Sequence, residues 1–269
     1  MTAHHAAENS QTHGIAAFVS GLSYERIPSE VIERIKLLIL DSLGCAIFGA
    51  GLQWSEILRS TLASVDTSRQ CRVWGTNERL SAPHAALANG SMVQAFELDD
   101  GHSLGSVHIS CGALPAIMAV AESRPGLSGI TGKSFITAAV AACETAPRVG
   151  MCMGEGFSRQ GWHSGALSVF SGVAAAAVAL QLSPGKTLHA LGIAGTQAAG
   201  LPQPEQSFDV SLSDGVSLQV RRYGIGKGPC LLITHGNGFA ADAYYPYWWH
   251  LLAKFDVLVF DFRNHGQNQ

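Results

Sequence analysis

Residues 27–51, IPSEVIERIKLLILDSLGCAIFGAG, carry the pattern that decides the fold. Val31, Ile35, Leu38, Ile39, Ser42 and Ala46 recur at the spacing of one helix face. Glu30, Glu33, Arg34 and Lys36 fall off that stripe. Pro28 suits a first helical turn, and Gly49 and Gly51 end the run. The stretch therefore reads as an amphipathic helix with one buried face.

Working outward, the same reading predicts helices over 55–64, 82–98, 112–122, 134–149, 164–180 and 184–199. Ser183-Pro184 is a cap followed by proline, and Thr131 can cap the helix through Ser134. Ala-rich faces such as Ala174–Ala177 allow helix axes to approach closely. Only Arg72–Trp74 looks like a strand, so residues 1–201 are expected to form an all-α domain.

The composition then breaks. Residues 1–201 hold 32 Ala and 10 aromatic residues, whereas residues 202–269 hold 4 Ala and 11 aromatics. Leu201-Pro202-Gln203-Pro204 disfavours helix, so residues 202–206 read as a junction. Beyond it, Ser207–Leu212 and Val216–Arg222 flank Asp214-Gly215, a hairpin signal. Cys230–Thr234 and Asp256–Phe260 read as buried strands and Tyr244–Lys254 as an aromatic helix. The expectation is two unlike sequences joined in one chain.

Whole-chain arithmetic narrows the functional classes. Over 269 residues, 17 Lys+Arg against 20 Asp+Glu give −3, so no basic field is present to hold nucleic acid or an anionic membrane. Only 14% of residues are charged and 47% are hydrophobic, which argues against disorder. No leader is visible in Met1–His13 and no uninterrupted apolar run suits a membrane span, so a cytoplasmic protein is expected. Six scattered cysteines without a CxxC pair are expected to be buried thiols of a reducing compartment.

Polar chemistry gathers in two places. Glu97-Leu98-Asp99-Asp100-Gly101-His102 ends one helix, and Val107-His108-Ile109-Ser110 opens the next. Three carboxylates and two imidazoles so close together could position a general acid and base. The same residues also read as a helix C-terminus with solvated acids and a capping His, or as metal ligands without a standard spacing. The second place is Gln160-Gly161-Trp162-His163-Ser164-Gly165, where His163 starts a helix whose free N–H groups favour a carboxylate. A His that merely caps its helix fits there as well. His84 and His189 read as satisfied core or surface residues.

These stretches resemble the MmgE/PrpD family, which includes 2-methylcitrate dehydratase and cis-aconitate decarboxylase. Ile39–Cys45, Ala85–Gly90, Glu97–His108, Gly161–Ser164 and Leu188–Gly195 carry the resemblance, in uninterrupted order over residues 12–201. It implies a large helical domain, a cofactor-free and metal-free lyase site, a small citrate-like polycarboxylate as substrate, and a homodimer through the helical domain. By that resemblance His108, His163 and Asp100 are the catalytic candidates, and Glu97 and Ser164 the substrate-binding ones. The resemblance stops at Leu201. No Lys occurs between Lys186 and Lys227 to supply the family's active-site lysine, and the family's second domain is not recognisable. This chain is therefore expected to be inactive alone, with a non-catalytic fusion or fragment as the alternative.

Residues 207–268 resemble the beginning of an α/β-hydrolase: strand, His235-Gly236 turn, helix, strand, then Asp261-Phe262-Arg263-Asn264-His265-Gly266. That resemblance implies an incomplete oxyanion-like turn at Asn237 or Gly238. No Gly-x-Ser-x-Gly nucleophile elbow follows, so a hydrolase fragment without its nucleophile is the third reading.

Overall fold

The computed structural model describes residues 11–124, 130–153, 164–197, 205–224, 228–234, 251–252 and 254–262. It divides into two compact units, residues 1–152 with 167–198, and residues 153–166 with 199–269.

The first unit is helical. Helices α1 (Gln11–Gly21), α2 (Ser29–Gly49), α3 (Gln53–Val65), α4 (Ala82–Val93), α5 (Ser110–Ser123), α6 (Gly132–Met153), α7 (Ser168–Ala179) and α8 (Pro184–Gln197) dominate it. Two short hairpins interrupt them: β1 (Cys71–Arg72) with β2 (Arg79–Leu80), and β3 (Gly101–His102) with β4 (Val107–His108). Ile35, Ser42 and Ala46 of the sequence stripe are buried on α2, with Val31, Leu38 and Ile39 half-buried and Cys45 buried beside them. Pro28 stands just before the helix with an extended ψ of 144°, and not inside its first turn.

One core forms where Ala46 of α2 and Leu62 of α3 meet Val73, Leu80, Ala88, Met92 and Cys111. Asn89, buried on α4, is satisfied on both sides: its Oδ1 accepts from the Trp74 N–H at 2.9 Å, and its Nδ2 donates to the Arg72 carbonyl at 2.9 Å. The neighbouring Gly90 has a different task. Pro115 has no N–H for the Cys111 carbonyl, and a Cβ on Gly90 would sit 2.5 Å from that oxygen. A second core joins Val19 of α1 to Ala141 of α6 and to Ala174 and Ala177 of α7. The small side chains there let three helices share one narrow space.

Two helix expectations need adjustment. Helix α1 was not expected; it buries only Ala16 and Val19, too narrow a stripe to stand out. Helix α4 stops at Val93 rather than Leu98: Gln94 leaves the helical region at φ −91° and ψ 6°, and Glu97 follows with a left-handed φ of 60°. The cysteines are all free, yet Cys152 and Cys230 are exposed and Cys143 is partly so, unlike the expected buried set. Among the described residues, no single helix is long and apolar enough to cross a membrane.

The second unit contains a four-stranded sheet in the order β5 (Gln206–Ser211), β6 (Ser217–Tyr223), β8 (Asp256–Phe260), β7 (Cys230–Ile233). Strands β5 and β6 form the antiparallel hairpin, with Gly215 at φ 81° in its turn. Strand β8 lies antiparallel to β6 and parallel to β7. Tyr223, Val257 and Val259 form the core of this unit. Arg221 Nη2 donates to Asp261 Oδ2 at 2.7 Å, with both side chains almost fully buried. The expected aromatic helix at 244–254 falls largely outside the described residues.

Helices α5 and α7 cross most closely at Gly112, where an added Cβ would collide with the Ser168 carbonyl and the Ser171 hydroxyl. Backbone cannot yield there, so Gly112→Ala should cost about 1–3 kcal/mol. Gly14→Ala, with nothing within 4 Å of its Cβ, should be neutral or stabilising. Urea denaturation of both variants checks this, and equal midpoints would contradict the close crossing.

Candidate active site

The end of α4 prepares the site. The Glu97 N–H donates to the Gln94 carbonyl at 3.2 Å, closing a turn with Glu97 in the left-handed region. That conformation is uncommon outside glycine and re-aims the chain so that Asp99 and Asp100 enter β3. The β3–β4 register pairs Gly101 with His108 and so returns His108 beside the two aspartates.

Each polar group then has a separate partner. His102 is consumed by its own hairpin, its Nδ1 accepting from the Gly105 N–H at 3.0 Å. Asp100 Oδ1 accepts from the Ser110 N–H at 3.0 Å, at the start of α5. A carboxylate suits that position because helix N-termini present free N–H groups and positive potential. Burial nevertheless raises the Asp100 pKa above the ordinary carboxylate value, against the Ser110 contact that lowers it. His108 is the group held between acids: Nδ1 lies 3.2 Å from Asp99 Oδ1, and Nε2 lies 3.3 Å from Glu97 Oε2. The Asp99 side chain is 0% exposed, the His108 side chain 16%, and the Glu97 side chain 45%.

The backbone of this segment is pinned from α7. Ser168 Oγ donates to the His108 carbonyl at 2.7 Å, and Ser171 Oγ donates to the Ile109 carbonyl at 2.8 Å. The Asp99 contact raises the His108 pKa above its ordinary value, opposed by burial and reinforced by Asp99, Glu97 and Asp100 charge. Burial pushes the nearby thiols of Cys111 and Cys143 up to about 12, so neither is a nucleophile at neutral pH. Chemically, the arrangement is an imidazole whose protonated form the acids favour, with one nitrogen turned inward and one turned toward a half-exposed carboxylate. Such a group can deliver a proton or pair with an anion.

The structure thus brings Glu97 and His108 into contact, with Asp100 nearby but turned to the start of α5. His163, Asn237, Gly238 and the Ser164 side chain lie outside the described residues. Sequence reading chose Asp100 among the site residues and passed over Asp99 as the one against the ring. It also missed Ser168 and Ser171, whose i,i+3 spacing on an otherwise apolar helix was the available signal. Among the described residues, no group of three or more His, Cys, Asp or Glu is arranged to hold a metal ion. His84, at the start of α4, pairs with Asp66 at 2.7 Å, and His189 is exposed. A cleft of about 370 Å³, bordered by Val19, Tyr24, Glu25, Lys133 and Leu182, contains none of the expected site residues. Of the expected site residues, Glu97, Asp100 and His108 thus gather at the β3–β4 hairpin and not in that cleft.

Comparison with known proteins adds four relationships. Residues 13–209 match the model of the MmgE/PrpD N-terminal domain. A cis-aconitate decarboxylase-like protein of Aspergillus oryzae is 40% identical over 201 residues, 72% of this chain and 41% of that protein. Cis-aconitate decarboxylase of Aspergillus terreus is 39% identical over 199 residues, 72% of this chain and 40% of that protein. The human cis-aconitate decarboxylase is 30% identical over 135 residues, 47% of this chain and 26% of its own length. The chain spans about 40% of the length of the two fungal relatives.

The ion pairs make a pH prediction with a definite sign. Folding raises the His108 pKa, so its stabilising contribution is complete below the ordinary value of 6.5 and is lost as pH rises through the folded value. The stability gap between the wild type and His108→Gln should therefore narrow from about pH 6 to pH 9 in urea denaturation. A gap that widens with pH would contradict the paired imidazolium.

Proposed function

Because the chain belongs to the MmgE/PrpD family, we propose that its helical part, residues 1–201, carries the acid/base half of a cofactor-free lyase site for a citrate-like polycarboxylate. The observation that carries the reading is His108, held between buried and solvated carboxylates on a hairpin within the matched region. In a decarboxylation, the bond to the departing carboxylate breaks, CO2 leaves, and the electron pair stays on carbon. That carbon takes a proton from His108 Nε2, and the imidazole regains one from water. In a dehydration the same proton goes to the departing hydroxyl, with a base taking the proton from carbon.

In this reading Glu97 and Ser164 contact substrate carboxylates or hydroxyls, and His163 is the second imidazole. The cluster sets three carboxylates around one imidazole, so without further cations its hold on a polyanion is weak, in the millimolar range that the experiment below samples. We assign those cations to parts of the relatives that this chain does not match, and expect binding without turnover. The expected result is that cis-aconitate perturbs the His108 ring signals in NMR while no CO2 or dehydrated product accumulates. Absence of any perturbation at millimolar cis-aconitate would remove the polycarboxylate reading. Turnover lost in His108→Ala would remove the inactivity.

Residues 207–269 are proposed as the opening of an α/β-hydrolase-like sheet, a unit separate from the lyase part. An antiparallel hairpin beside a parallel β7–β8 pair, connected by a long crossover, supports this. An experimental structure placing β7 away from β8 would end that reading.

A homodimer through the helical domain is the proposed assembly. Helix α2 exposes Leu37, Leu40, Ile47 and Phe48, and α3 adds Trp54 and Ile57, each more than half exposed. At roughly 100 Å² apiece these side chains approach the ~800 Å² per partner of a standard interface. Gly44 lies among them with open space around its Cβ position, leaving room for a second α2 to cross. Leu40→Glu with Ile47→Glu should convert a dimer to monomer in sedimentation analysis. A wild-type chain that is monomeric at about 100 μM, far above a typical dimer dissociation constant, would refute the dimer.

A further inference from the structure

Asp99 has no assigned role in the reading above, and its surroundings are unusual. Its side chain is wholly buried, and neither carboxylate oxygen has a hydrogen-bond partner among the described residues. A buried carboxylate without compensation is strongly unfavourable, so something must hold it in place. The contact that does so is His108 Nδ1 at 3.2 Å, a charge contact that does not meet hydrogen-bond geometry and leaves Nδ1, like Asp99, without another partner among the described residues. Glu97 on the other ring edge is nearly half exposed, and a solvated ion pair of that kind is worth little. The two acids therefore differ in kind: the inner one is wholly buried, and the outer one is nearly half exposed.

We propose that Asp99 is the positioning residue of His108, fixing the ring through Nδ1 so that Nε2 alone is presented to a ligand. The clamp is completed from behind the ring. Ser168 holds the His108 carbonyl, and Asp100 ties the Ser110 N–H, so the backbone from His108 into α5 is fixed. The charged and titratable groups facing the imidazole are Glu97 from the turn after α4, and Asp99 and Asp100 leading into β3. The thiols of Cys45 on α2, Cys111 on α5 and Cys143 on α6 lie toward these aspartates and stay neutral. When the ring loses its proton, the remaining N–H stays on Nδ1 toward Asp99, and Nε2 becomes the free base. Asp99 thereby decides which nitrogen exchanges protons with substrate, without touching substrate itself.

The inference rests on the lyase reading for its purpose, but its test needs no substrate. Nitrogen-15 NMR of the histidine rings, followed across pH, reports both the His108 pKa and its neutral tautomer. The expected outcome is an Nδ1–H tautomer in the wild type. Asp99→Asn should lower the His108 pKa, and by more than Glu97→Gln does. Asp99→Leu should also release the tautomer preference. An Nε2–H tautomer in the wild type, or a larger effect from Glu97→Gln than from Asp99→Asn, would overturn the proposal. If the Asp99 variants fail to fold, the wild-type tautomer and the Glu97→Gln titration still decide it. A cis-aconitate experiment that fails while the tautomer is Nδ1–H would sink the substrate reading and leave this one standing.

Discussion

Two serine hydroxyls on α7, Ser168 and Ser171, take the carbonyls of His108 and Ile109 as acceptors because α5 and α7 approach at Gly112 with no side chain between them. Everything at the hairpin follows from that approach. The carbonyls lie where β4 turns into α5, and that of Ile109 also accepts from the Gly112 and Ala113 N–H groups at 3.1 and 3.0 Å. The site is thus built outward from a helix crossing, and the imidazole inherits its orientation from backbone packed well behind it.

The same economy of small residues recurs around the hairpin. A Cβ on Gly105 would meet the Pro147 carbonyl at 2.8 Å, and Gly150 approaches Gly105 from the next turn of α6. The hairpin is therefore seated on α6 at one side and fastened to α7 at the other. Rigid support matters for an acid/base group, whose effectiveness falls quickly when its proton is misplaced. The electrostatics are layered in the same sense. Acids that are buried sit against helix starts or the imidazole, and the acid that is solvated faces outward.

Much of this was legible in the sequence, for reasons that can be named. The α2 stripe and the Ala-rich α7 face announce themselves through helical period, and the tail strands through alternation and the Asp214-Gly215 turn. The chemical cluster was visible because unlike charges crowd into residues 97–108. What stayed hidden was register. Two-residue strands such as β3 and β4 carry no period, so the pairing of Gly101 with His108 could not be foreseen. With it was hidden the choice between adjacent aspartates. The early end of α4 was hidden too, since nothing local in Ala95-Phe96-Glu97 forbids another helical turn.

The sheet of the second unit has one further consequence, for the route by which the chain reaches it. Strand β8 enters between β6 and β7, so Val220 finds Phe260 only after the whole intervening crossover has been made. The β5–β6 hairpin closes locally and early, leaving the inner edge of β6 open in the meantime. Until β8 arrives, that edge is a template for any strand of suitable pattern, including the same segment from another molecule. Assembly of this unit is thus a race between insertion within the chain and pairing between chains, and the second pathway gains as the concentration rises.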